Sequence, residues 1–319
     1  MPKNLKIFTG NANPAIAREI CEYLKVPLGA AEVKKFSDGE ISVEIGENVR
    51  GADVFVIQPT CTPVNDNLME LLITIQTLRL DSAARITAVV PYLCYGRSDK
   101  KDQPRVPITA RLVADMIEVA GADRYITLDL HAGQIQGFFS IPGDVLTSFY
   151  ILMNYIKDME SHLVSPVIVT ADLGFAKKAR NFAAGLNAPM AFIEKRRIGN
   201  DAKSQALTII GDVYNRDAII VDDEVDTGGS IVHAVNIVKD NGARNIYVVF
   251  VHPVLSLNAA ERLAALPVRE FITTDTMPIP PQKLALFNNR LTVLSIAPLL
   301  GEVILRANQG RSVGEMFNE

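Results

Sequence analysis

The sequence lacks most of the devices by which a chain is stapled, anchored or drawn to nucleic acid. Its 319 residues include three cysteines, Cys21, Cys61 and Cys94, widely spaced and odd in number. No pair has zinc-ligand spacing, so a disulfide framework and a cysteine zinc site are both excluded, and reduced thiols are expected. No apolar run approaches the roughly 20 residues of a membrane-spanning helix. The opening MPKNLKIFTG has neither a long apolar core nor a small-residue cleavage site, so no signal peptide is expected and a cytoplasmic location follows. Net charge is −4, which leaves no general footprint for nucleic acid. Neither Gly-x-x-x-x-Gly-Lys-Ser/Thr nor Gly-x-Gly-x-x-Gly occurs, which removes the two commonest phosphate-loop signatures. No Pro/Ser linker and no low-complexity stretch interrupts the chain.

What is present suits burial. Apolar residues make up 48% and charged residues 21%, ordinary for a soluble globular chain. At roughly 150 residues per domain the length suggests two domains. Short apolar runs recur at 5–9, 53–58, 85–91, 124–130, 166–171, 190–194, 217–223, 245–251, 270–274 and 291–296. Most are continuously apolar, the mark of strands covered on both faces. Helical patterns lie between them at 64–80, 109–121 and 230–243, the last starting at a Ser cap and stopping at a Gly. Strand and helix in alternation mean an α/β fold with doubly wound parallel sheets. Each half carries a strand ending in a polar turn, PYLCYGRSDKK (91–101) and VDDEVDTGGS (221–230), which suggests an internal duplication. The boundary is placed near 148, giving domains 1–148 and 149–319, with the last helix a candidate to pack back on the first.

The second turn carries the most specific chemistry. Asp222 and Asp223 fall at the carboxyl end of a strand, where open α/β sheets bind ligands. Asp226, Thr227, Gly228, Gly229 and Ser230 then lead into a helix N-terminus, which favours an anion. Glycines let the backbone approach closely. The turn wants a phosphate, and the carboxylates want hydroxyls or a metal. A sugar phosphate offers both. DTGG alone reads equally as a capped acidic turn, but behind a strand and two further aspartates the ligand reading is preferred.

This stretch resembles the phosphoribosyl diphosphate motif of the type I phosphoribosyltransferase fold. FSDGEI (36–41), ENVRGADVFVIQPT (47–60), PVNDNLMELL (63–72), LDLHAGQIQGFF (128–139) and EKRR (194–197) are similar to the ribose-phosphate diphosphokinase family. The resemblance runs from about residue 7 to 316. It implies two tandem domains of that fold, with ATP and ribose 5-phosphate as partners, Mg2+ as cofactor, and dimers assembled into a homohexamer. It implies that Lys195 and Arg197 are the catalytic-loop pair, although KRRIGNDAKSQAL alone reads equally as a solvated basic loop. It implies a nucleotide site at Phe36, Asp38, Gly39 and Glu40, a segment that alone reads as a turn before a strand, and at Arg97, Ser98 and Asp99. His131 and Asp172 are the implied metal contacts; a lone His is otherwise more often a cap or a core residue. A regulatory anion site is implied at Arg50, Ser82, Arg105 and Ser312, with Asn48, Val313 and Gly314 beside it; alone, these read as surface polar groups. The chain departs from the family's usual pattern at Ser98, Lys100, Phe175 and Ile198. Of these, Phe175 stands where Gly is usual, near Asp172, implying an altered metal or phosphate site. Two rivals stay open: a phosphoribosyltransferase that consumes the diphosphate, and a non-catalytic regulatory homologue.

Overall fold

The structure, a computed structural model, describes residues 4–171, 175–197 and 205–316. The chain divides into two compact units. One holds the residues through Ser148 with Thr276–Pro278 and the segment from Ser295 onward; the other holds Phe149–Asp275 and Ile279–Leu294.

In the first unit the order is β1 (Leu5–Thr9), α1 (Pro14–Leu24), β2 (Ala31–Lys35), β3 (Ile41–Ile45), β4 (Asp53–Ile57), α2 (Val64–Leu80), β5 (Arg85–Val90), α3 (Thr109–Ala120), β6 (Arg124–Leu128) and β7 (Gly143–Leu146). Its main sheet runs β1-β4-β5-β6-β7, all parallel, while β2 and β3 form a separate antiparallel hairpin. Val54, Val56, Ile86 and Ala88 point to one face and meet Leu71 and Ile75 of α2 and Val113 and Ile117 of α3. Phe55, Ile57 and Val89, on the opposite face, are equally buried. Burial on both faces is why these strands read as unbroken apolar runs.

The second unit contains α4 (Phe149–Asp158), β8 (Val167–Thr170), α5 (Ala176–Gly185), β9 (Met190–Arg197), β10 (Gln205–Ile210), β11 (Asp217–Glu224), α6 (Gly229–Asp240), β12 (Asn245–His252), α7 (Ala259–Ala264), β13 (Glu270–Thr274), α8 (Pro281–Leu286) and β14 (Leu291–Leu294). Its sheet order is β10-β9-β8-β11-β12-β13-β14, with β10 antiparallel. One face carries α6 and α7 through Ile231, Val235 and Leu263; the other carries α4 and α5 through Leu152, Ile156 and Phe182. This is the doubly wound arrangement.

The last helix, α9 (Ala297–Gln309), packs on α1 within the first unit. Arg85 grips Asp53 with two bonds, Nε to Oδ1 at 2.7 Å and Nη2 to Oδ2 at 2.6 Å. The same Nη2 donates to the Ala307 carbonyl at 2.9 Å, and Asn308 Nδ2 donates to Asp53 Oδ2 at 2.8 Å. Residues 276–278 and the segment from Ser295 thus group with the first unit, and the last helix packs back on it.

Several strands differ from expectation. β2 (AEVKK) has too much charge to read as a strand, and β7 (GDVL) is four residues long. The segment expected as a loop from Lys195 instead continues β9 to Arg197, with Lys195 paired to Leu207 and Arg197 to Gln205 of β10. The internal duplication also meets a difference. The first main sheet ascends in chain order, whereas the second reverses direction at β8, with β9 on one side and β11 on the other.

Candidate functional site

The reversal at β8 and β11 is a topological switch point, where a crevice opens outside the carboxyl ends of the strands. β11 delivers its carboxylates there. Asp222 is half-buried and its Oδ1 accepts from the Asp223 amide at 2.9 Å; Asp223 is 6% exposed and accepts from the Glu224 amide at 2.9 Å. Neighbours on a strand face opposite sides, so the two aspartates do not present as a pair.

The turn that follows is held from behind. Val225 exchanges backbone bonds with His252 and Leu255, and Asp226 O accepts from the Ser256 amide at 3.0 Å. Gly228 is the N-cap of α6, with φ at 72° and no side-chain acceptor. That φ lies in the left-handed region that suits glycine. A Cβ at Gly228 would also touch Leu263 of α7 at 3.4 Å. Ser230, expected as the cap, is instead the second residue of the helix, since the left-handed glycine starts it two positions earlier. Arg262 Nη1 donates to the Thr227 carbonyl at 3.1 Å. Because C=O and N–H of a trans peptide point opposite ways, this aims the Gly228 amide away from Arg262. A helix start whose cap residue offers no side chain keeps its amide dipoles for an anion.

The sequence-predicted nucleotide residues lie in the first unit. Phe36 to Glu40 form the turn of the β2–β3 hairpin, closed by Phe36 N to Glu40 O at 2.7 Å and Gly39 N to Phe36 O at 2.9 Å. Asp38 Oδ1 accepts from the Glu40 amide at 3.1 Å, and Gly39 takes φ 99°. Phe36 is 56% exposed, unusual for a phenylalanine. Arg97 follows β5 in a long loop. The first turn of α2 draws hairpin and loop together: Lys35 Nζ bonds Asp66 Oδ2 at 2.8 Å, and Tyr95 Oη donates to Asn65 Oδ1 at 2.7 Å.

Ser98 occupies the start of α3. Its Oγ accepts from the Thr109 amide at 3.2 Å, and its carbonyl accepts from the Ala110 amide at 3.1 Å. Asp99 is bonded by Gln134 Nε2. A Cβ at Gly96 would lie 3.8 Å from His131 Cβ, so Arg97, Asp99 and the exposed His131 gather in one region. Asp129, next to His131, is spent internally, accepting from Thr147 Oγ1 at 2.7 Å, Ser148 N at 2.7 Å and Ser148 Oγ at 2.6 Å.

Asp172 and Ile198 lie outside the described residues, and Lys195 and Arg197 are placed by backbone register alone. Phe175 turns inward rather than into a site. It is buried against Phe149, ring centroids 5.4 Å apart, in the core between α4 and α5. Among the described residues no three His, Cys, Asp or Glu form a metal cage. An exposed His131 fits a Mg2+ carried mainly on polyphosphate oxygens, since that ion prefers oxygen and keeps its waters.

Of the expected regulatory residues, Arg50 and Ser82 sit on touching loops. The Gly51 amide donates to Ser82 O at 2.9 Å, while Asn48 Oδ1 accepts from the Arg50 amide at 3.0 Å. Arg105 lies in the loop before α3, and Ser312 Oγ caps the Gly314 amide at 3.2 Å in the tail. Sequence reasoning missed Arg262; no motif marks it, because it acts from a short helix far along the chain.

Two doubly covered α/β sheets, one with a left-handed glycine turn after a carboxylate-bearing strand, define a protein built from two units of the type I phosphoribosyltransferase fold. Phosphoribosylpyrophosphate synthetase from Mycobacterium smegmatis superposes with a TM-score of 0.91 at 42% identity, covering 97% of this chain and all of that one. The chain belongs to the ribose-phosphate pyrophosphokinase family. Residues 5–121 match the model for the N-terminal domain of ribose phosphate pyrophosphokinase, and 200–318 match the phosphoribosyl synthetase-associated domain. The ribose-phosphate pyrophosphokinase of Caldanaerobacter subterraneus is 51% identical over 314 residues, 98% of each chain. That of Wolinella succinogenes is 45% identical over 315 residues, 99% of each.

Proposed function

We propose that the chain transfers the diphosphoryl group of ATP to the 1-hydroxyl of ribose 5-phosphate, giving AMP and 5-phosphoribosyl 1-diphosphate. One observation carries the reading: the start of α6, capped by a left-handed glycine without a side-chain acceptor, immediately follows a carboxylate-bearing strand end. The amides of Thr227 to Ser230 receive the 5-phosphate. Asp222 and Asp226 face sugar hydroxyls or a metal, with buried Asp223 behind them. Phe36 stacks on the base, Asp38, Gly39 and Glu40 line its edge, and Arg97 and Asp99 meet the phosphates on a loop that Ser98 holds. Lys195 and Arg197 stabilise charge on the group in transfer, which matters more here than covalent chemistry. The sugar O1 bonds to the β-phosphorus, the bond to the α,β-bridging oxygen breaks, AMP leaves with that electron pair, and the hydroxyl proton passes to solvent. Held by His131 and Asp172, Mg2+ would supply charge neutralisation on the nucleotide phosphates.

Assembly into dimers and a hexamer, a regulatory anion site at Arg50, Ser82, Arg105 and Ser312, and a cytoplasmic location complete the proposal. Among the described residues no helix is long and apolar enough to cross a membrane. The deciding assay gives the purified protein ATP, ribose 5-phosphate and Mg2+ and follows AMP and 5-phosphoribosyl 1-diphosphate together. Stoichiometric appearance of both is expected. A transferase would need the diphosphate supplied, and a regulatory homologue would form neither product alone.

A further inference from the structure

Glu70 lies in the second turn of α2 and is only 8% exposed. A buried carboxylate is costly unless its oxygens are hydrogen-bonded, and here they are. Oε2 accepts from the Asn11 amide at 2.8 Å and from Gln58 Nε2 at 3.0 Å, while Oε1 accepts from Asn11 Nδ2 at 2.9 Å. Gln58 is itself fully buried; its Oε1 accepts from the Ala12 amide at 3.2 Å and its Nε2 also reaches Asn67 O at 3.3 Å. Gly10 comes so close that a Cβ there would sit 2.7 Å from Gln58 Oε1. The turn between β1 and α1 is thus seated on two buried side chains.

Asn11 Nδ2 has two hydrogens, and the second has its own acceptor: Asn11 Nδ2 donates to Val33 O on β2 at 3.2 Å. Among the described residues β2 pairs with β3 alone, so the hairpin has no place in the main sheet. Val33 stands three residues before Phe36. The hairpin also lies on α2 through β3, with Ala31 and Ile45 against the core, and a side-chain tether, Lys35 to Asp66, joins two groups that are 51% and 41% exposed. An exposed ion pair holds weakly and is screened by salt. The Glu70–Asn11–Val33 chain starts from a buried carboxylate and, through the exposed Asn11 side chain, reaches the β2 backbone itself.

We infer that Asn11 and Glu70 are positioning residues for nucleotide recognition: Glu70 orients Asn11, and Asn11 pins β2 so that the hairpin presents Phe36 ready for the base. The inference rests on the assignment of residues 36–40 to the nucleotide. A recognition loop fixed in its bound geometry loses less freedom on binding, so the effect belongs in nucleotide affinity.

Four variants of the full-length protein test it. Asn11→Ala removes both side-chain bonds. Glu70→Gln keeps the shape but turns an amide group toward donors. Each is expected to raise the KM for ATP about 5- to 10-fold while kcat and the KM for ribose 5-phosphate stay within about 2-fold. Each should also speed amide hydrogen exchange across residues 31–45. The double variant should add little to either single one, because both act in one chain of bonds. Phe36→Ala is the control and should raise the KM for ATP without loosening β2. If Phe36→Ala leaves that KM unchanged, the nucleotide assignment fails and the inference with it. If Phe36→Ala raises it while Asn11→Ala and Glu70→Gln do not, the inference alone fails, whatever happens to exchange. If the two variants depress kcat, raise both KM values and lower Tm together, the residues serve stability only and the inference is overturned.

Discussion

The two units make the same layered sheet and use their strand ends in opposite ways. In the first, the start of α3 is filled by the chain itself, with Ser98 taking the amides of Thr109 and Ala110. In the second, the start of α6 is capped by Gly228, which has nothing to offer those amides. In the first, the strand-end carboxylate Asp129 is satisfied by Thr147 and Ser148. In the second, the strand ends in a crevice made by reversal of strand order. A helix terminus binds ligand only if the protein refrains from capping it. The first unit instead presents its candidate residues on a hairpin and a loop gathered at α2, so under the proposed function nucleotide contacts would come from side chains, whereas phosphate contacts in the second unit would come from backbone.

That contrast can be broken most severely at Gly228. Gly228→Val forces a β-branched residue into positive φ and against Leu263, displacing the turn. The KM for ribose 5-phosphate should rise by at least about 30-fold, with the KM for ATP within about 2-fold. Equal rises in both would show general misfolding. Arg262→Ala is milder: releasing the Thr227 carbonyl lets the Gly228 amide swing, for an expected rise of about 3- to 5-fold in the same constant alone. Arg262→Lys should recover part of it; no change in either variant would mean that the turn holds itself.

On the other side of the comparison, Ser98→Ala removes a helix cap worth about 1 kcal/mol. It should lower Tm by about 2–4 °C, raise the KM for ATP about 2-fold and leave ribose 5-phosphate unaffected. A shift in the sugar constant would sink the division of labour.

The smallest effect is alkaline. Cys21, Cys61 and Cys94 all belong to the first unit, and burial pushes each thiol up to about 11. Their folded values exceed their unfolded ones, so this contribution is intact below the unfolded value and declines as pH rises toward 11. Near pH 9 each thiol should cost only a fraction of a kcal/mol. Exchange-monitored stability should fall faster in the first unit than in the second, and replacing the three cysteines by alanine should flatten the difference in slope.

Much of this was legible beforehand. Strands buried on both faces announce themselves as apolar runs, and β1, β11 and α2 stood where the pattern put them. The acidic glycine turn was legible because its chemistry is local. What escaped depends on partners distant in sequence. Nothing in AEVKK says that β2 will pair with ISVEI. Nothing in Ser98 says that it will cap a helix eleven residues later. Phe175 stood out only as a departure from the family pattern beside Asp172, and Phe149 and Phe182 are what place its ring in the core.

The grouping of α9 with α1 has a consequence for the order of manufacture. A ribosome issues the first unit's main sheet, then the whole of residues 149–275, and only near the end the helix that covers α1 and reaches Asp53 and Arg85. Until then the apolar face of α1 has no cover from α9. The first part made is the last part finished, so a nascent chain stalled before residue 295 carries an incomplete first unit with apolar surface exposed, the kind of species that aggregates or recruits chaperones.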